Sequence, residues 1–255
     1  MRMMLGLISA GVLGLSAPAK ADEVESPRDV VEHGVAMHGG ALFLDPGTLQ
    51  LTGHATFYDG ATGAVRAVAD DYRMARAMER GRTEAHGADG KVHIIAKEGE
   101  RVIFEVAYDG ETTWTERGIM PKAAADEYWA NNFGFGIIRS ALDEGFALSF
   151  APTRDILGHQ TRIVRITDPK GAETLFGFDV ASGFIRYLAF DSPRGFHERL
   201  YDDYVKLDNG WVQARSVTLL YDGVMSNTVF WKETRVGEAV DPAIFAPPSS
   251  LRSAE

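Results

Sequence analysis

GTLQLTGHATFYD, residues 47–59, decides how the rest of the chain is read. Leu49, Leu51, Ala55 and Phe57 fall on one face of an extended segment. Gln50, Thr52, His54 and Thr56 fall on the other. A period of two over that length is the pattern of a strand with one buried face and one wetter face. Asp59-Gly60-Ala61-Thr62-Gly63 follows as a turn. Residues 69–79 supply a second strand, with Tyr72, Met74 and Met78 as its apolar points.

Outward from this hairpin the same signal recurs. KVHIIAK (91–97) and RVIFEVAYDG (101–110) read as strands around a turn at Glu98-Gly99-Glu100. Further strands are expected near 146–151, 159–167, 173–180, 184–191, 197–207, 211–221 and 226–236. The turns between them are well marked, at Asp168-Pro169-Lys170-Gly171, Ala181-Ser182-Gly183 and Asp208-Asn209-Gly210. Short loops make neighbouring strands antiparallel, so the sequence predicts ten to eleven antiparallel strands in a mainly β chain with helices, of the α+β class. GFIRYLAFD (183–191) is apolar on both faces: Phe184, Leu188 and Phe190 one way, Ile185, Tyr187 and Ala189 the other. A sheet with one solvated face does not need this. The expectation is that one face packs on helices while the other lines a cavity.

Two helical regions interrupt the strands. Near the start, Ser26 is an N-cap, Pro27 takes the first helical position and Asp29 closes a capping box. Val30, Val31, Gly34, Val35 and His38 follow at helical spacing, and Gly39-Gly40 ends the helix. In the middle, Pro121 opens a helix through Tyr128 and Trp129, and Asn131-Asn132 interrupts it. NNFGFGIIRSALDEG (131–145) then predicts a second helix. Phe133, Ile137 and Ala141 form its apolar stripe with Ile138 and Leu142 beside it, and Arg139, Ser140, Asp143 and Glu144 take the polar side. Such a stripe either completes a solid core or covers a hollow that a curling sheet leaves for a ligand.

Composition narrows the function. Arg2, the apolar run Met3–Leu15 and Ala17-Pro18-Ala19-Lys20-Ala21 read as an export signal cleaved after Ala21, leaving residues 22–255 as one domain. Removing Arg2 and Lys20 leaves 24 basic against 36 acidic residues, a charge of −12. That disfavours nucleic acid and anionic lipid surfaces as partners. No later stretch is apolar and long enough to cross a membrane as a helix. The chain has no cysteine, which removes disulfides, thiol chemistry, cysteine metal sites and a lipid-modified N-terminal cysteine. The expected product is free in the periplasm or secreted, with the periplasm as the expected location.

No catalytic pattern is present: no G-x-S-x-G, P-loop, H-E-x-x-H or G-x-G-x-x-G. The seven histidines are scattered, and His33 and His38 lie on different faces of one helix. The adjacent carboxylates Asp70-Asp71 and Asp202-Asp203 point to opposite faces of their strands. The chain therefore reads as a non-enzyme without metal or cofactor.

The order of parts carries a resemblance. An export signal precedes a helix ending in Met37-His38-Gly39-Gly40 and the strand LQLTGHATFYD. Then come a strand ending AYDGETTW, a helical insertion, a run of hairpins and the closing VGEAVDPAIFAPP (236–248). Over nearly the whole mature chain this resembles the LolA-like superfamily, the periplasmic outer-membrane lipoprotein-sorting proteins and their relatives. The resemblance implies a strongly curved, unclosed antiparallel half-barrel whose mouth is plugged by helices and whose hollow holds acyl chains. It implies that Phe133, Ile137, Ile138 and Leu142 belong to the plug, and that Trp114, Tyr128, Trp129 and Phe135 stand near the entrance. The implied function is a non-catalytic carrier of lipid or lipoprotein acyl chains between an inner-membrane donor and an outer-membrane acceptor. The alternative is a lipid-sensing module acting through a protein partner. The carriers have a basic-Arg-Pro stretch on an early strand, whose arginine ties down the lid. Here the second strand reads DDYRMARAMERG without that proline, leaving Arg73 and Arg76 as candidates.

Overall fold

The structure, a computed structural model, describes residues 25–132 and 134–252. The expected export signal and Phe133 lie outside the described residues. Helix α1 (Pro27–Met37) begins on the expected capping box: the Ser26 side chain accepts from the Asp29 amide, and Asp29 accepts from the Ser26 amide. A short helix α2 (Ala41–Leu44) follows it. Strands β1 (Thr48–Tyr58), β2 (Val65–Ala77), β3 (Lys91–Glu98), β4 (Arg101–Tyr108), β5 (Thr113–Thr115) and β6 (Gly118–Ile119) precede helix α3 (Lys122–Asn132). After a 3-10 turn at Phe135–Arg139 come β7 (Ala147–Ile156), β8 (His159–Thr167), β9 (Glu173–Asp179) and β10 (Ile185–Ser192). The last strands are β11 (Gly195–Lys206), β12 (Val212–Tyr221) and β13 (Val224–Val236).

All thirteen strands form one antiparallel sheet in the order β6-β5-β4-β3-β2-β1-β13-β12-β11-β10-β9-β8-β7. The first and last long strands pair at its centre, and β6 and β7 are left as free edges, so the curved sheet is not closed into a barrel. The two strands beyond the expected eleven, β5 and β6, are three and two residues long, too short to show alternation. In β1 the expected phase holds, with every second residue from Leu49 to Phe57 buried. The register with β13 shifts at Gly53. A Cβ there would lie 1.9 Å from the Phe230 carbonyl oxygen, so the bend depends on glycine.

Three expectations need correcting. The apolar second helix over 133–145 is not an α-helix: one 3-10 turn at 135–139 is followed by irregular turns. Gly134 and Gly136 disfavour a regular helix and are pressed closely against the Phe190 ring and the Arg82 side chain. Arg139 and Ser140, assigned to the wet side, turn inward. The faces of β10 also differ from strict alternation. The register with β9 shifts between Ile185 and Tyr187, which brings Ile185 into the same cluster as Leu188 and Phe190. Finally, helices and cavity share the concave face. There α1, α2, the 3-10 turn and the inner side chains of the sheet form one continuous core. The opposite face of β7–β11 is covered by its own side chains, with Ile156, Ile163, Tyr187 and Ala189 at the centre.

Candidate ligand-binding cavity

The inner core is not filled. Between β1–β3, β11–β13 and the helical cover lies a hollow of about 220 Å³. Strand alternation supplies the wall: Leu49 and Leu51 from β1, Tyr72, Met74 and Arg76 from β2, and Asn227, Val229 and Trp231 from β13. On β11 and β12 the inward phase changes, from Arg199 and Tyr201 to Tyr204, and from Val217 and Leu219 to Val212 and Ala214. The change falls where Asp203 takes φ +53° and pairs with Arg215 at 2.7 Å. His38 and Phe43 line the hollow from the α1–α2 region, and Tyr128, Asn132, Phe135 and Arg139 from the cover.

The cover is fastened on two sides. On one, Trp129 of α3 is buried against Val92 of β3 and Val106 of β4, and its Nε1 donates to Thr113 Oγ1 at 2.8 Å. On the other, the last carbonyls of α3 are capped by the opposite wall. Asn131 O accepts from Tyr221 Oη and from His197 Nδ1, each at 2.8 Å, and Asn132 O accepts from Arg199 Nη2. A cation and two donors at a helix C-terminus satisfy its orphan carbonyls and favour its dipole. Beyond the helix, Phe135 makes edge contacts with Phe43, Phe176 and Tyr201. Ile137 and Ile138 are fully buried beneath the turn.

Guanidinium groups stand out in this apolar setting. Arg76 Nη2 donates to Asp89 Oδ2 at 3.2 Å, and Arg82 shares that carboxylate at 3.1 Å. Burial pushes Arg76 down to about 10, with Asp89 opposing the shift. Arg139 donates from Nε to the Phe43 carbonyl at 2.8 Å, and its guanidinium lies over the Phe43 ring at 5.0 Å. Burial, reinforced by Arg76, pushes it down to about 9. His38 is held neutral, its pKa lowered by burial to about 4.

The expected site residues therefore separate. Tyr128 and Phe135 line the cavity. Ile137, Ile138 and Leu142 lie in the core under the cover without lining it. Trp129 anchors α3, and Trp114 sits apart, stacked on His93 with Nε1 donating to Phe245 O at 2.8 Å. Of the two candidate arginines on β2, Arg73 is exposed and pairs with Asp71, whereas Arg76 faces the hollow. The arginines that donate to the cover's backbone are instead Arg199 on β11, to Asn132 O, and Arg28 on α1, to Leu142 O. Sequence reasoning passed over Arg199, Tyr201, Tyr204, Trp211 and Trp231. For Arg76 a signal was present, because Tyr72, Met74 and Met78 set a phase that includes position 76.

No family model matches the chain and no curated protein matches it. Solved structures do. A domain from Vibrio parahaemolyticus named for outer-membrane lipoprotein sorting covers 86% of this chain and 95% of its own, with TM-score 0.51 and 11% identity. A LolA superfamily protein from Nitrosomonas europaea covers 87% and 98%, with TM-score 0.52 and 8% identity. The chain shares the fold of these two solved proteins, one of which is a LolA superfamily member. A DUF1329 family protein from Desulfovibrio piger is similar too, with TM-score 0.52 and 9% identity over 89% of this chain and all of its own. At such identities the likeness to the LolA fold concerns the backbone and assigns no role to a side chain.

Proposed function

We propose that the protein is a non-catalytic carrier that holds an acyl chain of a lipid or lipoprotein in the hollow of its sheet. In this reading residues 1–21 direct export, the remainder works as one domain in the periplasm, and the chain passes its cargo from an inner-membrane donor to an outer-membrane acceptor. The observation that carries the reading is the hollow itself, walled by Leu49, Leu51, Met74, Leu219, Val229 and Trp231 under a cover tied to both walls. Tyr128 and Phe135 touch the cargo. Ile137, Ile138 and Leu142 belong to the segment that moves, and Trp129 fixes the side of the mouth from which it swings.

The physics needs no reacting group. Burying a methylene is worth about 0.8 kcal/mol, so a chain of some 16 carbons contributes on the order of 12 kcal/mol gross. Ordering costs remove several kcal/mol of that. The remainder is enough to hold a lipid reversibly. At about 220 Å³ the hollow is below the ~300–1,000 Å³ common for small-molecule sites, so even one long acyl chain is taken up in full only when the cover lifts. Native mass spectrometry of the protein purified from its own envelope tests the proposal. A bound lipid mass lost on delipidation is the expected result. A lipid-free protein that also fails to take up acyl chains after purification would remove the carrier function.

A further inference from the structure

Charge on the cavity wall is one-sided. Arg76, Arg139 and Arg199 all line it, and no aspartate or glutamate does among the described residues. All three share that wall, and Arg76 lies near enough to Arg199 to feel its charge, as Arg139 does that of Arg76. Behind them Asp89 is divided between Arg76 and Arg82. Arg139 and Arg199, each half-buried, have no carboxylate within ion-pair distance among the described residues; their bonds go to the carbonyls of Phe43 and Asn132. Beside Arg199, the Tyr201 hydroxyl is buried in the wall, and its proton has no acceptor among the described residues.

Charge drawn partly out of water without a counter-charge is costly, and a buried hydroxyl without an acceptor adds to the cost. Neutral cargo would leave both costs in place. An oxyanion would meet both. Guanidinium forks have several N–H donors left after one bond to a carbonyl, and charge-assisted bonds in a dry site are the strong ones. The three arginines come from different parts, Arg76 from β2, Arg139 from the cover and Arg199 from β11. One head group bound among them would hold cover and sheet together. Its removal would return like charges to mutual repulsion across the mouth.

Building on the carrier reading, we infer that the cargo is an anionic amphiphile. A carboxylate or phosphate head is seated among Arg76, Arg139, Arg199 and the Tyr201 hydroxyl, with an apolar chain along the wall of β1, β12 and β13. The outside of the protein argues for the same division of labour. The mature chain is acidic overall, so the attraction is local to the cavity and does not make the protein adhere to anionic membranes.

Equilibrium dialysis of the purified, delipidated protein against radiolabelled palmitate, lysophosphatidate, 1-hexadecanol and inorganic phosphate, all below micellar concentrations, tests this. Palmitate or lysophosphatidate should bind at least about tenfold more tightly than hexadecanol, and the tighter of the two identifies the head. Arg139→Gln and Arg199→Gln should bring the palmitate-to-hexadecanol ratio towards one, and Arg139→Lys should restore part of it. Melting curves by circular dichroism report whether the variants are folded, and the wild-type series decides the matter without them. Equal binding of hexadecanol and palmitate would overturn the head-group inference and leave the carrier reading standing. Inorganic phosphate binding as tightly as the amphiphiles would overturn it too, because no chain would then be needed. Binding of none of the chains would overturn both.

Discussion

His38 illustrates how single residues are set by the hollow they border. Its Nε2 accepts from the Ile185 amide at 3.0 Å, and its Nδ1 faces the Val212 carbonyl at 3.4 Å. That fixes one neutral tautomer between β10 and β12. Burial, with Arg139 nearby, holds its pKa at about 4, and burial beside Arg199 holds that of His197 at about 2. Well above pH ~6.5 both imidazoles are neutral whether the chain is folded or not, so they add no pH dependence there. Below that, the unfolded chain takes up protons that the folded chain refuses, and stability falls as pH drops towards 4. His38 alone accounts for roughly 2–3 kcal/mol lost between pH 7 and pH 4.5. The carboxylates with lowered pKa, such as Asp179, whose carboxylate accepts from the Ser182 and Ala181 amides, act only below the usual range near 3.8 and leave this window to the histidines. Urea unfolding at a series of pH values checks this. Stability unchanged from pH 7 to pH 5 would show that these imidazoles are not buried.

At the scale of elements, the cover is where sequence and structure part. The strands were legible because their faces differ in water contact, as in β1. The first helix was legible because Ser26, Pro27 and Asp29 state its start. The cover region was not. Phe133, Ile137 and Ala141 fall at helical spacing, but glycines at 134 and 136 make close backbone approach to Phe190 and Arg82 worth more than a regular helix. Arg139 reads as a surface charge until the Phe43 carbonyl and ring, distant in sequence, are seen beside it. The phase change at Asp203 likewise hides Tyr204 and Val212 from any rule of alternation. The C-terminal end of α3 is fastened by three donors, so its removal one bond at a time is informative. Tyr221→Phe deletes one hydrogen bond to Asn131 O and leaves the ring. Loss of about 1 kcal/mol should speed amide exchange over residues 122–132 about fivefold, with the sheet's exchange unchanged. Exchange identical to the wild type would mean that this end is held by other contacts.

For the whole molecule, topology explains why a hollow persists. Pairing β1 with β13 joins the first and last long strands at the centre, so both halves of the sheet curl from a common spine around the same interior. With β6 and β7 left as edges, the curl is not pulled closed, and a helical cover tied to both walls completes the enclosure. Protein interiors close-pack when side chains can reach one another. Here the wall residues face one another across a gap bridged by the cover. The claim on which the account rests is that an acyl chain fills that gap. Crystals grown with a palmitate brominated near its tail, measured at the bromine edge, test it most directly. The account predicts an anomalous peak inside the sheet, among Leu49, Leu219, Val229 and Trp231. Bromine found only on the outer surface, with the interior closed over by the protein's own side chains, would contradict it.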